Sequence, residues 1–167
     1  MTDARAIYGA HPIREEIDDL LGQRLPAAVG TLNEDGSIHL AYVLFLHEEG
    51  CLYLETSSLT RKARNVAARS TATLLVDGQA STGRRLMVAV EGTGRIVTGA
   101  DAQGINRRLR AKYIEDAALE SIDRAWGSLD DVAIEVAPER WRSWTNELFR
   151  AETERYVDGS YGDIWRE

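Results

Sequence analysis

A chain of 167 residues has room for one domain of ordinary size, so 1–167 is expected to fold around a single core. Apolar residues make up 44% and charged ones 28%, which excludes a disordered or fibrous chain, and 27 acidic against 20 basic side chains leave a net charge of −7 that offers nucleic acid no general footprint. No run approaches the roughly 18 apolar residues of a membrane span, and Met1–Ala10 lacks the pattern of a signal peptide. A cytoplasmic location without membrane partners is therefore the expectation. The one cysteine, Cys51, cannot close an internal disulfide, and His11, His39 and His47 are too scattered for a zinc site.

Pro12 suits the first turn of a helix in which Ile13, Ile17, Leu20 and Leu21 build one apolar stripe, ending near Gly22. The period then changes. Pro26–Leu32 reads as a strand, Asp35-Gly36 as a hairpin turn, and Ile38–Leu46 as a longer, heavily apolar strand. After a turn at Glu49-Gly50, Cys51–Thr56 forms a third strand, giving an antiparallel meander. Thr60 is placed as the N-cap of a short helix that runs to Arg69. Thr71–Val76 and Arg85–Val97 are further strands, with Gly92 and Gly94 suited to a bulge or sharp bend. Two helical stretches follow, one carrying Ile105, Leu109 and Tyr113 and one carrying Leu119, Ile122 and Trp126. A last strand spans Asp131–Val136 and Trp141–Trp144, interrupted at Pro138. The charged and aromatic tail 145–167, with Tyr156, Tyr161 and Trp165, is expected to pack on something. Six short strands with few helices define the expected fold class, mainly β, as a small antiparallel barrel with peripheral helices.

The chemistry concentrates in Thr56-Ser57-Ser58-Leu59-Thr60-Arg61-Lys62-Ala63-Arg64. Hydroxyls end a strand, and three cations occupy the first turn or so of a helix. Cations at the positive end of a helix dipole cost about 0.3–1 kcal/mol each, and a bound anion reverses that sign. A phosphate there would meet helix N–H groups, the hydroxyls of Ser57, Ser58 or Thr60, and charge-assisted bonds from Arg61 and Lys62. The residues alone leave a second reading open, in which the cations pair with the chain's many carboxylates. Other polar groups have plainer roles. His39 and His47 flank a strand, Cys51 suits a structural thiol, and the paired carboxylates Asp18-Asp19 and Asp130-Asp131 suit capping and solubility. Trp141 is expected in the core or an interface.

The stretch Thr56-Ser-Ser-Leu-Thr-Arg-Lys-Ala, entered from a strand and followed by Thr71–Val76, resembles the signature of the flavin-binding split-barrel proteins. These include pyridoxamine 5'-phosphate oxidases and the flavin or deazaflavin oxidoreductases of actinobacteria. The likeness covers about 25–144. It implies a six-stranded split β-barrel, a homodimer with cofactors in the clefts between subunits, and FMN as cofactor. It implies that Thr56, Ser57, Arg61 and Lys62 bind the FMN phosphate, beside the Ser58 and Thr60 hydroxyls already placed at the helix start. The backbone of Val43, Leu44 and Phe45 would run beside the isoalloxazine ring, Trp144 would touch the cofactor, and Arg150 would take the place of a substrate-binding arginine. A small-molecule substrate and an oxidoreductase activity follow from the same likeness. Coenzyme F420 is the alternative cofactor, its anionic tail suited to Arg61, Lys62 and Arg64; a haem-handling or non-enzymatic barrel is the alternative of another class. The strand His39–Leu46 lacks the Arg and Lys that true pyridoxamine phosphate oxidases carry there, so that activity is not implied.

Overall fold

The structure, a computed structural model, describes residues 14–126 and 131–145. These residues form α1 (Arg14–Gly22), β1 (Pro26–Leu32), β2 (Ile38–Leu44), β3 (Leu46–Glu48), β4 (Cys51–Ser57), α2 (Arg61–Arg69), β5 (Thr71–Gln79), β6 (Arg85–Val97), α3 (Gly99–Tyr113), α4 (Asp116–Trp126) and β7 (Asp131–Trp144). All ladders are antiparallel, in the order β2-β1-β5-β6-β7-β4-β3. Pro12, Ile13, Arg150 and the tail residues lie outside the described residues.

The split barrel is as expected, with one strand more. Ile38–Leu46 is two strands: β2 pairs with β1 up to Leu44↔Pro26, and β3 pairs with β4 from Leu46↔Tyr53. Phe45 stands between them. The two outermost strands of the sheet are thus halves of one bent segment, and the sheet curls on itself. The expected meander is corrected in the same way, because β4 pairs with β3 and β7 and no ladder joins it to β2.

The break at Phe45 is stabilised from α3. Phe45 is fully buried, and backbone groups that leave a ladder inside a protein need other partners. The Tyr113 hydroxyl lies 3.4 Å from the Phe45 N–H and 2.9 Å from the carbonyls of both Phe45 and Leu25. Lys112 Nζ donates to the carbonyl of Phe45 at 3.3 Å and to that of Leu21 at 2.9 Å, and it sits 4.3 Å from the Phe45 ring centroid. That second bond supplies a cation to the C-terminal turn of α1, which has no basic residue of its own.

The barrel interior holds Val29, Leu52, Leu54, Leu74, Val76, Val88 and Ile134, all fully buried. Leu20 and Leu21 of α1 join this core, and a Cβ on Gly78 would lie 2.9 Å from Leu20 and 2.5 Å from Leu25. Ala63 and Val66 of α2 enter it as well, Val66 over Gly94. A second cluster, with Ile105 and Leu109 of α3 against Leu46, Tyr53 and Ala133, covers β3, β4 and β7. The interruption expected at Pro138 is a bulge in a continuous β7: the register shifts between Glu91 and Gly92, where a Cβ would lie 2.2 Å from the Ala137 carbonyl oxygen. No described helix is long and apolar enough to cross a membrane.

Desolvation pushes Lys112 down to about 8 from its ordinary value of 10.5. Between these values the unfolded chain binds more protons than the native one, so this residue makes stability rise as pH increases through that window. The melting temperature of the wild type relative to Lys112→Met is expected to climb from about pH 8 to 10. A difference that stays flat or falls would contradict the burial of this amine.

Candidate anion-binding site

The β3–β4 ladder stops at Leu46↔Tyr53, and continuing its register would set Leu44 opposite Glu55 and Tyr42 opposite Ser57. Instead β2 turns away to β1. The opening between β2 and β4 therefore has Val43–Phe45 on one side and Thr56–Lys62 on the other. Val43 and Phe45 point into the core, and Leu44 points outward. Leu44 is the exposed side chain of this stretch, and the backbone groups of Phe45 are already met by Tyr113 and Lys112.

The loop from β4 to α2 is fixed by its own hydroxyls. Thr60 caps α2: its Oγ1 accepts from the Ala63 N–H at 3.4 Å and donates to the Ser57 carbonyl at 2.9 Å. Thr56 Oγ1 lies 2.9 Å from Thr60 Oγ1, and Ser57 Oγ accepts from the Leu59 N–H at 3.2 Å. Buried Thr56 and half-buried Thr60 thus shape the turn, while half-exposed Ser57 and Ser58 stand nearer a ligand. The N–H groups of Arg61 and Lys62 have no partner among the described residues, leaving two donors at the positive end of the helix.

The charges bear on the two readings of the motif. Every described arginine outside α2 is in an ion pair with a carboxylate. In a chain of net charge −7, Arg61, Lys62, Arg64 and Arg69 are in none among the described residues. Arg61 acts on Asp35 only as a minor, longer-range attraction. Lys62 is half-buried, and desolvation alone holds it below the ordinary lysine value. The first turn of α2 has no acidic residue to complement its dipole. The solvated-helix reading calls for carboxylate partners, and among the described residues no carboxylate is in an ion pair with these four cations.

Arg61, Arg64 and Arg69 line a groove of about 870 Å³ between α2 and the β1–β2 turn. Asn65 fixes its wall, donating through Nδ2 to Thr31 Oγ1 at 3.1 Å and Asn33 Oδ1 at 2.9 Å. Glu34 and Asp35 form the opposite rim. Lys62 does not line this groove, which runs along α2 from Arg61 to Arg69.

Trp144 is not brought to this cluster within one chain. It pairs with Met87 at one end of β7, whereas Ser57 pairs with Asp131 at the other. Thirteen residues of strand at about 3.3 Å each separate the two ends. Trp141 packs edge-on against His47, with ring centroids 6.0 Å apart. Cys51 is free and half-buried. Among the described residues no group of three or more His, Cys, Asp or Glu side chains could hold a metal ion.

Fold and site together define a split β-barrel whose α2 begins with cations that are in no ion pair among the described residues. A sequence profile of the pyridoxamine 5'-phosphate oxidase family matches residues 13–145, and the chain belongs to that family. No curated protein matches it. Among solved structures, the conserved hypothetical protein Rv2991 from Mycobacterium tuberculosis is similar with a TM-score of 0.70 and 21% identity, over 84% of this chain and 89% of that one. An F420 reductase is similar at 0.58 and 22%, over 79% and 98%. HutZ, the haem storage protein from Vibrio cholerae, is similar at 0.61 and 13%, over 81% and 95%. Identities of this size establish a shared fold.

If the α2 cations await an anion, removing one relieves the ligand-free protein. Lys62→Met keeps most of the apolar stem and lifts both the desolvation and the helix-dipole cost, so the variant is expected to melt at or above the wild-type temperature. Added inorganic phosphate should raise the melting temperature of the wild type more than that of the variant. A variant less stable than wild type in both conditions would contradict an anion site.

Proposed function

We propose that the protein is a flavin-dependent oxidoreductase, with an FMN phosphate held at the start of α2. The convergence of unpaired cations on α2, in an acidic chain whose other described arginines are paired, carries this reading. The N–H groups of Arg61 and Lys62, their side chains and the Ser57 and Ser58 hydroxyls fit a phosphate monoester. When bound, the flavin supplies the hydride or electron transfer. The chain fixes the phosphate, orients the ring along the backbone of Val43–Phe45, and excludes water from one of its faces.

A second copy of the chain completes the site in this reading. On β2, Ile38, Leu40 and Tyr42 are 68%, 70% and 83% exposed, and Leu44 and Leu75 extend the same outward face across β1 to β5. An apolar patch of this kind calls for a cover. Trp144, remote from α2 in its own chain, reaches a cofactor only from a partner. A homodimer with shared clefts satisfies both conditions.

Coenzyme F420 is the second reading of the cofactor. It is supported by the likeness to an F420 reductase and by the groove along which Arg61, Arg64 and Arg69 carry cationic side chains beyond the start of α2, facing Glu34 and Asp35 on the other rim. The absorption spectrum of the protein with bound cofactor separates the two, and a Soret band would overturn both.

Hydrogen bonds to charged groups contribute about 1.5–3 kcal/mol, so Lys62→Met is expected to weaken FMN binding roughly ten- to a hundredfold. Leu40→Asp, on the apolar face, is expected to give a monomer by light scattering with a comparable loss of FMN affinity. Full FMN affinity in that monomer would overturn the shared cleft.

A further inference from the structure

The strand end that presents Thr56 and Ser57 is held from behind by a buried charge cluster. Side chains alternate along β4, so buried Thr56 points into the barrel while Glu55 and Ser57 face the opposite side, beneath α3. Arg110 of α3 is 5% exposed. Its Nε donates to Glu55 Oε1 at 2.8 Å, its Nη2 donates to both Glu55 Oε1 and Asp131 Oδ2, and its Nη1 donates to Asp123 Oδ1 at 3.2 Å. Asp131 is itself the ladder partner of Ser57. One guanidinium thereby ties α3, α4, β4 and β7 together at the pair where the loop to α2 begins.

The charges in this cluster do not cancel. Three carboxylates, Glu55, Asp123 and Asp131, meet two cations, Arg110 and Arg107, whose Nε lies 3.0 Å from Asp123. Among the described residues, one negative charge is left over. The other groups nearby do not offset it: the Trp126 ring stacks on Arg110 with its centroid 5.2 Å away, Gln103 is neutral, and Glu135 on β7 is already paired with Arg95 of β6. Glu55 and Asp131 share one nitrogen of Arg110, which sets the two carboxylates side by side. Desolvation raises the pKa of Glu55 and the Asp131 carboxylate adds to it, with Arg110 acting in the opposite direction.

We propose that Glu55, clamped by Arg110, is a positioning residue whose protonation sets the affinity of the anion site at the start of α2. The proposal rests on the anion site described above. Ionised, Glu55 leaves an uncompensated negative charge on the strand end beside Thr56 and Ser57 and opposes an incoming anion. Protonated, it keeps a hydrogen-bonding group in place and leaves the cluster neutral. Linkage makes the effect reciprocal, so a bound anion raises the proton affinity of Glu55.

FMN titrated into wild type and Glu55→Gln between about pH 5 and 8 tests this, and the affinity ratio removes the phosphate's own ionisation. The ratio of variant to wild-type affinity is expected near one at the acid end. It should rise on the order of tenfold toward pH 8, the effect of a unit charge roughly 10 Å from an anion at an effective dielectric of about 20. Carbon-13 NMR of the Glu55 carboxyl, without and with inorganic phosphate, gives a readout independent of the flavin: its titration is expected to move to higher pH with phosphate. Parallel pH profiles, or a Glu55 titration that phosphate leaves unmoved, would overturn the coupling even where Lys62→Met still weakens FMN. Undiminished FMN binding by both Arg61→Ala and Lys62→Met would overturn the site and the coupling with it.

Discussion

Backbone groups that leave a sheet inside a protein must be met by something else, and in this chain that requirement falls on Phe45. Tyr113 and Lys112 of α3 meet it, which lets β2 turn away to β1 while β3 continues the ladder with β4. Barrel closure and the opening in the barrel wall are consequences of the same break. A straight strand over Ile38–Glu48 would extend the ladder along β4 and close the gap beside Thr56–Lys62. The C-terminal turn of α3 is therefore part of the site's architecture although it lies on the other side of the sheet.

The second constraint is electrostatic. An acidic chain has carboxylates in excess, and outside α2 its described arginines all find one. Arg61, Lys62 and Arg64, in no ion pair among the described residues and close to a helix N-terminus, oppose the stability of that helix, and a bound anion would reverse the cost. The Arg110 cluster presents the opposite imbalance, with one carboxylate too many, a few residues away in the adjoining strand end. Placing an excess positive site against an excess negative one makes the proton content of the latter matter to the former.

Much of this was legible in the sequence because it depends on local chemistry. The Asp35-Gly36 turn, the Thr60 cap and the Arg61–Arg69 helix each rest on neighbouring residues, and the structure places them where those residues imply. The break at Phe45 was not legible. Along Ile38–Leu46 the inward Val43 and Phe45 alternate with outward Leu40, Tyr42 and Leu44, all apolar, so no period marks a change of partner. Asp131 suits a surface cap on local grounds, yet it is half-buried against Arg110, and that network joins positions 55, 110, 123 and 131. Long-range pairs of this kind carry no local spacing. The one available signal was Arg110 itself, a charged residue next to Leu109 on a helix that must bury its face.

The central claim, that α2 recognises a phosphate, is tested most directly by comparing two ligands that differ only in that group. FMN and riboflavin share the ring and ribityl chain, and equilibrium binding to the intact protein isolates the phosphate's contribution. Loss of about two charge-assisted contacts predicts that FMN binds at least a hundredfold more tightly than riboflavin, with a preference that shrinks as salt is raised. Equal affinity for the two, at low salt, would contradict the account.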